Sequence, residues 1–282
     1  MDNLFPQPPG ATSFVAIGDS FTEGLNDAAP GGGYRGWADR LAGMMAAEYP
    51  ALQYANLAVR GKLLRQIVAE QVPAAVALSP GLVSIAGGGN DIIRPGGDPD
   101  TLAELFDAAV ARLRASGCRV LMFTGADLVG FPVMRLLRGR IAAYNMHLRS
   151  IADERGCDLV DLWSMRFLRD LSAWSPDRLH LTSQSHQRVA LRAAEVLGLP
   201  VIEDWRDDRA PAGSSLAWGV PAPHSLRRPP AENWLTSRRD DVRWAREYLA
   251  PWVNRRLHGV SSGDGRTAKR PQLSPVSPPI LM

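Results

Sequence analysis

The chain has 282 residues, 45% of them apolar, and a formal net charge of +3. That composition suits a globular protein that can bury a real core, with room for one large domain or a domain plus an extension. No apolar run approaches the roughly 18 residues of a membrane-spanning helix, so no membrane span is expected.

The charge is uneven. Residues 1–204 carry a net −3 and residues 205–282 a net +6, and 30 of the 32 basic side chains are arginine. Nothing in 1–204 clusters cations on one face as a phosphate-binding surface would, so nucleic acid is not an expected partner. The opening Met1-Asp2-Asn3-Leu4-Phe5-Pro6 has neither the basic nor the apolar stretch of a secretory signal, which leads us to expect a cytoplasmic protein. Cys118 and Cys157 each follow a glycine at the start of a strand-like run and are read as free, buried thiols.

Taken in order, Ser13–Ile17 reads as a first buried strand, followed by the glycine-flanked turn Gly18-Asp19-Ser20-Phe21-Thr22-Glu23-Gly24. Helical spacing covers 34–49, and Pro50 stops it. Strand two is expected at Leu52–Leu57, a helix at Leu63–Val72, strand three at Gly81–Ala86 and a helix at Thr101–Ala115. Strand four follows at Arg119–Phe123, a helix at Gly139–Glu154, strand five at Asp158–Leu162, and a last helix at Thr182–Leu197 with Thr182 or Ser183 as its cap. Five strands alternating with five helices predict a three-layer α/β/α sandwich on a five-stranded parallel sheet. The flavodoxin-like order 2-1-3-4-5 would bring the loops after strands one, two and three together, and those loops carry Ser20, Gly61 and Asn90.

The expected organisation is one α/β domain over 1–204, an Arg/Trp-rich extension with one helix over 205–258, and a disordered tail over 259–282. The helix is read at 234–257, capped through Ser237 and Asp240 and either kinked or ended at Pro251. Three roles are open to it: packing on the core, which is the default, covering the Ser20 face, or self-association.

Ser20 is the candidate nucleophile, since a serine at the C-terminal end of a parallel strand can attack once a base takes its proton. His180 is the candidate base, and Asp177, three residues earlier, can orient its ring across a turn. Gly61 offers a backbone N–H with no side chain in the way, and Asn90 an amide, both suited to a developing oxyanion. Taken singly each has a structural explanation. Ser20 could cap a helix, Asp177 and His180 could be a turn and a surface histidine, and Asn90-Asp91 after three glycines could be turn chemistry. Asp19 is read either as a turn residue or as a residue supporting the catalytic groups from behind.

Together the blocks resemble the GDSL/SGNH hydrolase family. Gly18-Asp19-Ser20-Phe21 is similar to its Gly-Asp-Ser-Leu block, with Phe in the last place. Gly61 in Asn56-Leu57-Ala58-Val59-Arg60-Gly61 is similar to the second-block glycine. Gly88-Gly89-Asn90-Asp91 resembles Gly-x-Asn-Asp, and Asp177-Arg178-Leu179-His180 resembles Asp-x-x-His. All four stand in the family's order over 13–198. The resemblance implies a Ser20-His180-Asp177 triad and an oxyanion hole of Ser20 N–H, Gly61 N–H and the Asn90 side chain. It implies no metal and no cofactor, and a small-molecule acyl ester as substrate. Acyl transfer or thioester cleavage through the same acyl-enzyme is the alternative, and a non-catalytic scaffold the third reading.

Two other matches fail on context. Gly31-Gly32-Gly33-Tyr34-Arg35-Gly36 fits a dinucleotide fingerprint but follows no strand. Gly259-Val260-Ser261-Ser262-Gly263 fits a nucleophile elbow but has no strand before it and no His after it. The segments 92–99, 124–138 and 163–176 are expected to shape the acyl pocket, with Ile92, Ile93, Phe131, Val133 and Met134 making it apolar.

Overall fold

A computed structural model of the chain describes residues 12–29, 31–131, 133–201, 203–206, 242–249, 251 and 261–276. β1 (Ser13–Ile17) leads into the one-turn helix α1 (Ser20–Glu23), and α2 (Gly36–Glu48) packs back over the sheet. β2 (Gln53–Asn56) is followed by α3 (Leu64–Gln66), a π turn (Ile67–Gln71) and α4 (Val72–Ala77). β3 (Leu82–Ile85), α5 (Gly89–Ile92) and α6 (Pro99–Ala115) come next, then β4 (Arg119–Phe123), α7 (Arg138–Arg155), β5 (Asp158–Val160) and α8 (Ser183–Leu197).

The parallel strands run in the order 2-1-3-4-5, as expected, with Phe14 beside Tyr54 on one side and Leu82 on the other. Their side chains alternate between two cores. Phe14, Ala16, Leu121 and Phe123 face α2 and α8, while Val15, Ile17, Val120 and Met122 face α6 and α7. Both faces are covered, which is why these strands read as continuous apolar runs. Helix ends follow local chemistry. Asp98 caps α6 through Thr101 N–H at 2.9 Å, Thr182 caps α8 through Ser185 N–H at 3.3 Å, and Gly156 and Gly198 close α7 and α8 in the left-handed region.

Three expectations need correction. The sheet has six strands, not five. β6 (Arg270–Pro275) lies inside the expected disordered tail and pairs antiparallel with the free edge of β2, Asn56 opposite Arg270 and Gln53 opposite Pro275. Two prolines and no apolar alternation hide it in the sequence, but an edge strand tolerates proline because one side of it needs no donors. The helix expected at Leu63–Val72 does not stop at Val72. It continues to Ala77 through Pro73, because the π turn before it places Pro73 in the first turn of α4, where its missing N–H costs nothing. Cys118 is buried but Cys157 is half-exposed; both are free.

Most of the helix expected at 234–257 lies outside the described residues; its described part, 242–249, is helical and includes a π turn at Ala245–Leu249. Among the described residues no helix is long and apolar enough to cross a membrane.

Candidate active site

β1 delivers the chain to Gly18, whose φ of 154° and surroundings demand glycine: a Cβ there would sit 2.7 Å from the Ala86 carbonyl oxygen. The buried Gln71 amide fixes this turn from both sides, accepting from Gly18 N–H at 2.7 Å and donating to Gly18 C=O at 2.9 Å. Asp19 then caps α1 by accepting from Phe21 N–H at 3.0 Å. The cap is therefore Asp19, and Ser20, the first residue of α1, keeps its hydroxyl free for other work.

His180 and Asp177 sit in the tight loop before α8. It is pinned by an antiparallel bridge between Trp174 and Leu181 and by Ser175 N–H donating to His180 C=O at 2.8 Å. One Asp177 oxygen accepts from the backbone N–H of Leu179 at 3.0 Å and of His180 at 3.1 Å, which folds the loop locally. The other lies 2.7 Å from His180 Nδ1 and accepts from Asn26 Nδ2 at 2.8 Å. His180 Nε2 is 2.9 Å from Ser20 Oγ. A carboxylate cannot donate, so Nδ1 carries the proton facing Asp177 and Nε2 is left to accept from the Ser20 hydroxyl. Burial would raise the Asp177 carboxyl, but the His180 ring and the two backbone donors outweigh it and hold it at about 2.

Gly61 arrives on the loop after β2, and Asn90 in α5, the one-turn helix that follows β3. Gly61 has φ 74°. Neither its backbone N–H nor that of Ser20 is engaged by another described backbone or side-chain acceptor. Asn90 Nδ2 donates to Asp19 Oδ2 and to Lys62 C=O, both at 3.1 Å. Burial pushes the Asp19 carboxyl up to about 6, against the pull of Phe21 N–H, His180 and the Asn90 amide. Ser20, Gly61, Asn90, Asp177 and His180 all border one cavity of about 460 Å³. Ile92, Ile93 and Met134 line it, as expected. Phe131 instead packs edge-on against Trp174 with ring centroids 5.3 Å apart, and Val133 is exposed. Phe123, Leu128, Ile141 and Leu168 complete the apolar wall.

Several working neighbours were not singled out from the sequence. Asn26, Gln71 and the buried His186 are isolated polar residues with no motif around them. His186 Nδ1 accepts from Trp37 N–H at 3.2 Å, and burial lowers its pKa to about 4, so it stays neutral beside Phe21. Glu23, like Asp19, is a buried charge in the turn around Ser20. Its carboxylate accepts from Arg60 N–H at 2.8 Å and pairs with the Arg60 guanidinium, tying α1 to the Gly61 loop. Among the described residues no three His, Cys, Asp or Glu side chains group as metal ligands would.

Residues 16–188 match the GDSL-like lipase/acylhydrolase family. The chain belongs to this family. It is accordingly a carboxylic ester hydrolase of the GDSL type, and the resemblance read from the four blocks is borne out. No curated relative matches the chain. Among solved structures it is similar to an α/β hydrolase enzyme from the metagenome of Lake Arreo, with TM-score 0.58 and 22% identity over 67% of this chain and 95% of that one. It is also similar to an acetylxylan esterase from Geobacillus stearothermophilus, with TM-score 0.56 and 20% identity over 70% of this chain and 97% of that one. Both likenesses are of fold. They span nearly all of those proteins and leave the remainder of this GDSL-type chain without a counterpart.

Proposed function

We propose that this GDSL-type hydrolase cleaves esters of apolar acyl chains through a Ser20-His180-Asp177 triad and an acyl-enzyme. The observation that carries the reading is the run of contacts from Asp177 to His180 Nδ1 at 2.7 Å and from His180 Nε2 to Ser20 Oγ at 2.9 Å. The acetylxylan esterase offers a parallel: catalytic mutants of it have been crystallised at a histidine and at an aspartate three residues before it, the spacing of Asp177 and His180.

In this mechanism His180 Nε2 takes the Ser20 proton as Oγ attacks the acyl carbonyl, and Asp177 stabilises the imidazolium that forms. The negative oxygen is received by the N–H groups of Ser20 and Gly61 and by Asn90. In the free enzyme both Asn90 amide hydrogens are occupied, so one turns from Lys62 C=O or Asp19 toward the oxyanion as charge develops. His180 then protonates the leaving alcohol, and water repeats the sequence on the acyl-enzyme. Asn90→Ala is expected to lower kcat by roughly 10²–10³-fold, the usual consequence of losing one oxyanion donor, with KM little changed. Steady-state kinetics on a p-nitrophenyl ester measure it, and an unaltered kcat removes Asn90 from the oxyanion hole.

The cavity favours an acyl group longer than acetyl, because its inner wall is aliphatic and aromatic. Burying each further CH₂ is worth about 0.8 kcal/mol, so kcat/KM is expected to rise about fourfold per carbon until the pocket is full. A p-nitrophenyl ester series from acetate to dodecanoate measures the slope. A maximum at acetate would assign the apolar wall to packing and the substrate class to acetyl esters. The two free thiols and the absence of a long apolar helix among the described residues fit action in a reducing, aqueous compartment.

A further inference from the structure

The C-terminal segment from residue 261 lies beyond the family match, yet it touches the site's own scaffolding. Ser261 Oγ donates to Gly61 C=O at 3.3 Å. At Gly263 the backbone approaches the Arg60 carbonyl so closely that a Cβ would collide with it, and a Cβ on Gly61 would in turn meet Ser261 Oγ. The turn holds its own shape, with Ser261 N–H donating to the Asp264 carboxylate at 2.6 Å and Arg266 N–H to Gly263 C=O at 3.1 Å. Ser262 borders the cavity.

Lys269 follows, just before β6. Its ammonium reaches the carbonyls of Glu23 at 2.6 Å and of Tyr34 and Arg35 at 2.9 Å each, and the Asp39 carboxylate at 2.6 Å. Withdrawing an ammonium from water is costly unless every N–H finds an acceptor, and here three hydrogens meet four oxygens. Glu23 is the junction. Its carbonyl, at the end of the helix that begins with Ser20, is held by Lys269, and its carboxylate holds Arg60 of the Gly61 loop. Covering the β2 edge requires only β6; a lysine inserted among the carbonyls behind the nucleophile, and a turn seated on the oxyanion loop, do more than that.

We propose that residues 261–275 form a positioning element of the active site, in which Lys269 and the Ser261–Gly263 turn hold the Gly61 loop in register with Ser20. The proposal rests on the reading of Ser20 and Gly61 given above. Two variants of the full chain test it, Lys269→Met and Gly263→Ala, with Lys269→Arg as the conservative control. The expected result is a fall in kcat of about ten- to a hundredfold, as for a displacement of an ångström or less, with KM held within about twofold. Amide hydrogen exchange across residues 58–63 is expected to quicken in both variants and to recover in part with arginine. If Lys269→Met does not fold, Gly263→Ala carries the test, since it displaces the Ser261–Gly263 turn from the Arg60 carbonyl and leaves Lys269 in place. Unchanged kcat and unchanged exchange at 58–63 overturn the proposal, and so does a lowered Tm with kcat intact, which would make the segment an edge cover alone. If the unaltered enzyme hydrolyses no ester and Ser20 is not labelled by a fluorophosphonate, the catalytic reading fails; exchange at 58–63 still decides whether the segment holds the loop.

Discussion

Ser20→Ala is expected to lower kcat for an activated ester by roughly 10⁵- to 10⁶-fold, the scale seen when a nucleophile that works as a unit with its base is removed. The effect is large because His180 Nε2, 2.9 Å from Oγ, then has no proton to take and no acyl-enzyme can form. Ser20 is half-buried at the start of α1 and its helix cap is Asp19, so the fold loses little, and Tm is expected to move by only about 2 °C. Steady-state kinetics, labelling by a fluorophosphonate and a thermal melt measured together distinguish lost chemistry from lost structure. Turnover that survives the substitution would sink the assignment of Ser20 as nucleophile.

Asp177→Asn is expected to cost about 10⁴-fold in kcat with the fold intact. The amide oxygen must still accept from the Leu179 and His180 backbone N–H groups, which leaves its NH₂ facing both His180 Nδ1 and Asn26 Nδ2. A donor opposite Nδ1 forces that nitrogen to become an acceptor. The proton moves to Nε2, the tautomer that cannot accept from Ser20. The same substitution carries a pH signature whose sign is fixed. The folded carboxyl lies at about 2, below the ordinary value near 3.9, so its contribution to stability is present above about pH 4 and is lost as pH falls toward 2. Urea unfolding at pH 7 and at pH 2.5 should therefore show the wild type losing more stability than the variant. Equal losses would mean that the Asp177–His180 contact does not hold the carboxyl down.

The sheet and the four blocks were legible because each is written in neighbouring residues. Strands such as Phe14-Val15-Ala16-Ile17 are apolar on both faces since both faces are covered, and five strand-like segments separated by helical spacing admit few arrangements. Asp177 and His180 stand three apart because one carboxylate builds the turn and faces the ring. The pocket was legible only in part. Ile92, Ile93 and Met134 line it, whereas Phe131 and Val133, close by in the sequence and equally apolar, do not.

By itself, then, the sequence determined the order of the parallel strands, the family and the residues that meet at the strand ends, because all of these rest on local turns and periodic burial. The tertiary structure alone decided what supports them. Gln71 clasps Gly18 from 53 residues away, Asn26 reaches Asp177 across 151, and Lys269 reaches Glu23 across 246. β6 exists because β2 offers it an open edge, not because Arg270–Pro275 carries a strand pattern. A single polar side chain satisfied by a distant carbonyl leaves no period and no spacing in the chain, so only the folded geometry could reveal it.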